Sequence, residues 1–134
     1  MTQEQLCLQY NLPFVEANGM SIIGIQKEFD MTNLPINGLR HPLEANMTGW
    51  YLWSGETFPT ENTDWVAIHA SHISELYPEI NKFLGLPPGW RFLKAGENED
   101  VWSDETLYDI EPLNPDDETF YHFKKNKNFY LNKD

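Results

Sequence analysis

Gly49-Trp50-Tyr51-Leu52-Trp53, closed by Ser54-Gly55-Glu56, is the stretch whose reading decides the fold. It is too short for a helix and apolar at every position after the glycine, so an extended chain here presents large rings to both sides. That predicts a central strand with both faces covered. A second Gly-Trp step, Gly89-Trp90-Arg91-Phe92-Leu93, opens a similar run, and Trp102 follows soon after. Rings at this density need burial, and Trp50, Trp53, Trp90, Phe92 and Trp102 are expected in one sheet-centred cluster.

Working outward, Ser21-Ile22-Ile23-Gly24-Ile25-Gln26-Lys27 is β-branched, follows Asn18-Gly19, and reads as another strand. Pro35-Ile36-Asn37-Gly38 reads as a turn, and Pro42 keeps the next stretch extended or irregular. A polar loop over residues 58–64 leads to Trp65-Val66-Ala67-Ile68, a short strand. At the N-terminus Thr2 is placed to cap a helix over residues 3–9, with Leu6, Cys7 and Tyr10 on its inner side.

Ile73, Leu76, Tyr77, Ile80, Phe83 and Leu84 recur at helical spacing between residues 71 and 85, with Ser71 or Ser74 as cap. Pro78 interrupts that stripe, removing an amide donor and clashing with the preceding turn, so two short helices are expected. Residues 90–94 and 100–104 form a hairpin across Ala95-Gly96-Glu97-Asn98. The expected fold is α+β: a single domain in which a few short helices pack on an antiparallel sheet. The chain of 134 residues is long enough to bury roughly two-thirds of its unfolded surface. Residues 1–134 form one globular domain in this reading, with residues 109–134 an acidic and then basic tail, partly docked through its aromatic rings.

Charge narrows the function. Asp and Glu number 21 against 9 Lys and Arg, a formal net charge of −12, which disfavours nucleic-acid phosphates. No apolar run reaches membrane-spanning length. One cysteine, Cys7, excludes an intrachain disulfide, and the start of the chain has no signal-peptide pattern; a cytoplasmic protein is expected. The carboxylates concentrate between Ala95 and Phe123, a span without Lys or Arg, and Lys124, Lys125, Lys127 and Lys133 follow. Such a patch steers a basic partner, and its plain alternative is a solvated acidic surface. Glu97, Glu99, Asp104, Asp116, Asp117, Glu118 and Tyr121 are the expected contacts for a protein partner.

Chemistry is sparsely marked. His69, His72 and Glu75 are three residues apart, and Glu56 could complete a metal set, yet the pattern lacks a metal-site signature. His41 and His122 read as surface or hydrogen-bonded loop histidines. There is no nucleophile elbow and no Gly-rich phosphate loop. A small enzyme or ligand-binding domain would have to draw on Glu56, His69 and Asp104, or on the carboxylates Glu99 and Asp100 beside Trp102. No catalytic residue, cofactor or metal ligand is assigned, and oligomeric state is not legible.

Pro35-Ile36-Asn37-Gly38-Leu39-Arg40-His41, Gly49-Trp50-Tyr51-Leu52-Trp53-Ser54-Gly55-Glu56, Leu84-Gly85-Leu86-Pro87-Pro88-Gly89-Trp90-Arg91-Phe92 and Glu99-Asp100-Val101-Trp102 occur in succession. Together they resemble the immunity protein 33 family of small bacterial proteins, with residues 1–108 carrying the likeness and the tail outside it. The resemblance implies an antidote in polymorphic-toxin systems: a small cytoplasmic, non-catalytic protein that occludes a toxin domain. It brings no catalytic residue with it. An acidic blocker suits a basic toxin domain on electrostatic grounds as well.

Overall fold

Thr2 opens the chain with a reciprocal cap: its hydroxyl accepts from the Gln5 N–H while the Gln5 side chain accepts from the Thr2 N–H. This satisfies two otherwise orphaned donors and starts helix α1 (Gln3–Gln9), whose Leu6 and Cys7 turn inward. The computed structural model describes residues 1–42 and 46–109. Within them follow β1 (Ile22–Gln26), β2 (Ile36–Arg40), β3 (Met47–Ser54), β4 (Trp65–His69), α2 (Ala70–Leu76), α3 (Pro78–Asn81), β5 (Trp90–Ala95) and β6 (Asn98–Ser103). Single 3-10 turns occupy Asn62–Asp64 and Glu105–Asp109.

The strands form one six-stranded sheet in the order β4-β1-β3-β2-β5-β6. All neighbours are antiparallel except β1 and β3, which run parallel. The fold is α+β, as the sequence predicts, with that one parallel pair added. β3 is central and buried along nearly its whole length.

Strand alternation divides the rings of β3 between two cores. On the helix-bearing face Trp50 and Leu52 join Ile23, Ile25, Ile36 and Phe92 beneath Leu6, Cys7, Ile73, Ile80, Phe83 and Leu84. Phe83 stacks on Phe92 with centroids 4.3 Å apart, and the Trp50 indole donates to Leu84 O at 2.9 Å. On the other face Tyr51 and Trp53 pack with Leu39, Trp65, Leu107 and Phe58 through edge-on ring contacts. The single aromatic cluster expected from sequence is therefore two. Trp90 is half-buried against the helix-side core, and Trp102 is half-buried on the opposite face.

The turn expected at Pro35-Ile36-Asn37-Gly38 is instead the fully buried strand β2. Asn37 does not turn the chain; its amide donates to Pro35 O and Gly55 O, fastening β2 to the end of β3. Gly38 is there for close approach: a Cβ at this position would run into the Phe92 ring. Pro78 does break the helix and stands first in α3. The expected caps differ, because α2 starts at Ala70 without a side-chain cap, and Ser74 reaches across to Asn81. The second helix ends at Asn81, before Gly85.

Arg40 holds the helix layer to the sheet. Its side chain is fully buried, and its guanidinium donates to five main-chain carbonyls: Thr48, Val15, Leu84, Leu86 and Glu16. Burial pulls its pKa down to about 10; a charge kept in such a place depends on complete hydrogen bonding. Among the described residues it makes no ion pair. Cys7 lies in this core and bonds Gly85 O at 3.3 Å; burial raises its pKa, and the Arg40 charge only partly opposes that.

Candidate functional site

Where the structure describes them, the acidic residues predicted to meet a partner are spread along the β5–β6 hairpin: Glu97 at its turn, Glu99 opposite Lys94 on the helix-bearing face, and Asp104 past the far end of β6. Gly96, at φ +64°, makes the turn, and Glu97 beside it is exposed. Glu99 is engaged from both sides: Lys82 Nζ lies at 2.8 Å and Lys94 Nζ at 3.0 Å. Burial pushes the Glu99 pKa up, but the hydrogen bonds and charges of the two lysines outweigh it and hold the carboxyl below its ordinary value. Asp104 faces Arg91 at 3.4 Å and accepts from the Thr106 hydroxyl and N–H. Asp116, Asp117, Glu118 and Tyr121 lie outside the described residues, as does His122.

Two of the expected contacts are thus partly neutralised within the fold, while Glu97, Asp100 and Glu105 are exposed. The missed centre of this region is Arg91. Strand register puts it between Leu39 and Trp102 on the face opposite the helices, with its guanidinium carbon 5.3 Å from the Trp102 ring centre and 6.0 Å from that of Trp53. Its Nε is buried without a hydrogen-bond partner. An arginine lying over two tryptophans, with Asp104 beside it, has the residue types that dominate protein interfaces. Sequence carried one signal for it: the arginine interrupts an otherwise apolar Gly-Trp run.

The residues of the enzymatic alternative are scattered. His69 ends β4, one edge of the sheet, and Asp104 follows β6, the other edge. Five strand spacings separate these edges, roughly 24 Å. Glu56 lies at the opposite end of the strands from His69, since Ile22 pairs with His69 at one end of β1 while Ile25 pairs with Leu52 toward the other. Two open polar depressions of about 240 and 420 Å³ share Gln26 and Thr57; Glu56 lines the larger, and neither His69 nor Asp104 lines either.

His69 and His72 are exposed neighbours with ring centres 5.6 Å apart. Among the described residues no three His, Cys, Asp or Glu side chains are placed to hold a metal ion. His41, expected on the surface or in a hydrogen-bonded loop, is buried; its Nδ1 lies 3.4 Å from Leu107 O and its ring meets the edge of Tyr51. Among the described residues no helix is long and apolar enough to cross a membrane.

A six-stranded mixed sheet with one helix-covered face and a charged hairpin defines a small α+β domain. The chain belongs to the Imm33-like domain family, whose model matches residues 2–104. The match reaches the hairpin and ends at Asp104. No curated protein and no solved structure matches the chain.

Proposed function

We propose that this protein is a non-catalytic immunity protein that neutralises a bacterial toxin in the cytoplasm by covering its working surface. Membership of the Imm33-like family over residues 2–104 carries the reading. The net charge of −12 supports a basic partner, because opposite fields accelerate encounter and reject like-charged competitors. The scatter of Glu56, His69 and Asp104 speaks against the alternative of a small enzyme built on those residues.

The contact region in this proposal is the β5–β6 hairpin, with Arg91 and Trp102 as anchor and Glu97, Asp100 and Glu105 as rim. Asp116, Asp117, Glu118 and Tyr121 extend it along the chain. Co-expression with a candidate toxin domain tests the reading: growth is restored, and the purified pair forms a stable complex. Unrelieved toxicity at full expression of the folded protein overturns it. Within such a pair, replacing Asp116, Asp117 and Glu118 by Asn, Asn and Gln slows association at low salt, whereas Trp102→Ala speeds dissociation.

A further inference from the structure

Both faces of the sheet are buried at the centre, and one of them carries the helices. The buried residues of α1, α2 and α3 all join the core that holds Trp50, Leu52 and Phe92. On the other face Leu39, Tyr51, Trp53 and Trp65 are each 5 % exposed or less. Among the described residues, the hydrophobic side chains that join them from outside the strands are Phe58 and Leu107. Rings of this size bury about 150–250 Å² each, and a sheet face so apolar is closed by a second packed layer.

Leu107 shows which part of the chain arrives there. It is fully buried, its N–H donates to Asp104 O at 3.1 Å, and its carbonyl lies 3.4 Å from Nδ1 of His41. The chain is thus fastened to the helix-free face within the turn Glu105–Asp109. Residues 110–134 continue from that point. Extended, they reach roughly 80 Å, against roughly 24 Å across the five strand spacings of the sheet. They also carry the rings of Phe120, Phe123, Phe129 and Tyr130.

From these observations we infer that residues 110–134 dock on the helix-free face as its outer layer, with the rings of Phe120, Phe123, Phe129 and Tyr130 seated over Tyr51, Trp53 and Trp65. Edge-on ring pairs already make up the packing of that face, and further rings extend it. The path of the chain selects this occupant, since Leu107 has already delivered it to the face. Charge agrees. Residues 1–109 hold 16 Asp and Glu against 5 Lys and Arg, whereas residues 123–134 hold four Lys against one Asp. The end of the chain is therefore attracted to a body that repels a second copy of itself. The docking brings Asp116, Asp117 and Glu118 to the side of the sheet that bears Arg91 and Trp102. Because the family match ends at Asp104, this layer is built from residues beyond it.

Nuclear Overhauser measurements on the full, unaltered chain test the inference. Cross-peaks are expected between the rings of Tyr51, Trp53 and Trp65 and those of residues 110–134. In a mixture of isotope-labelled and unlabelled chains, these contacts are expected to stay within one copy. Replacing the four tail rings together, Phe120→Ser, Phe123→Ser, Phe129→Ser and Tyr130→Ser, is expected to abolish the cross-peaks and shift indole emission to the red. It should also raise the unfolding equilibrium constant by about tenfold or more, the scale set by burying even one such ring. An unaltered chain whose face rings show no contact with residues 110–134 overturns the inference, as do contacts found only between copies. So does a four-ring variant with the urea midpoint of the original.

Discussion

Arg40 and Arg91 sit in neighbouring strands of one sheet and lead opposite lives. Arg40 is sealed beneath the helices with its donors spent on five carbonyls drawn from three stretches of chain. Arg91 lies across the other face between two tryptophans, with one ion pair and an unused Nε. The first is a structural tie and the second is a group held ready. What separates them is not charge or burial alone but how completely the fold satisfies the guanidinium.

The largest test of that contrast is Arg40→Ala. It leaves five carbonyls, three of them buried, without their donor and opens a cavity, and a loss of about 5 kcal/mol or more is expected, at the upper end for single substitutions. Arg40→Lys keeps the charge but not the fork, and should retain only part of that stability. Urea midpoints measure both; a lysine variant as stable as the original would show that charge and not geometry holds the site.

Next in size is Gly38→Ala, which drives a methyl group into Phe92 and through it disturbs the stack on Phe83. A cost of about 1–3 kcal/mol is expected for such overpacking. This tests whether the helix-side core near Arg40 is as rigid as its packing implies. A neutral result in thermal unfolding would mean that the hairpin can slide away from β2.

Arg91→Gln should cost about 1 kcal/mol or less, the scale of a partly exposed ion pair and cation–π contacts. Its effect on binding a toxin partner should be larger than its effect on stability. Equal losses in both would place Arg91 with Arg40 as a structural residue.

The smallest effect belongs to Glu99, whose lysine partners hold its pKa below the unfolded value. A depressed carboxyl contributes stability above its unfolded pKa and loses it as pH falls through the folded one. Because Glu99 remains 23 % exposed, the contribution is about 1 kcal/mol or less at neutral pH. Glu99→Gln should therefore be less stable than the original at pH 7 and equal to it once Glu99 is protonated in both states. Paired melting curves across acid pH show this as convergence; parallel curves would refute it.

The strands around the Gly-Trp runs and the break at Pro78 were legible in sequence because local pattern decides them. β2 was not, since Pro35-Ile36-Asn37-Gly38 has turn composition and only the Phe92 ring, more than fifty positions away, explains its glycine. Arg40 was equally hidden: its carbonyl partners come from residues 15–16, 48 and 84–86, and no spacing rule connects them. At the hairpin the acids could be seen from composition. Their pairing could not, because Lys82 reaches Glu99 from beyond α3 and because Arg91 and Asp104 meet only through strand register.

The Arg40 cage also has a consequence in time. β5 and β6 are joined by a short turn and can zip within about 1–10 μs, but the cage needs the N-terminal loop, the loop after α3 and the start of β3 together. Loop closure over such separations comes late on the path to the folded state. Arg40 should therefore contribute little to the folding barrier and much to the lifetime of the native state: its replacement would leave the refolding rate nearly unchanged and hasten unfolding. The buried guanidinium acts as a latch, closed last and governing how long the molecule stays shut.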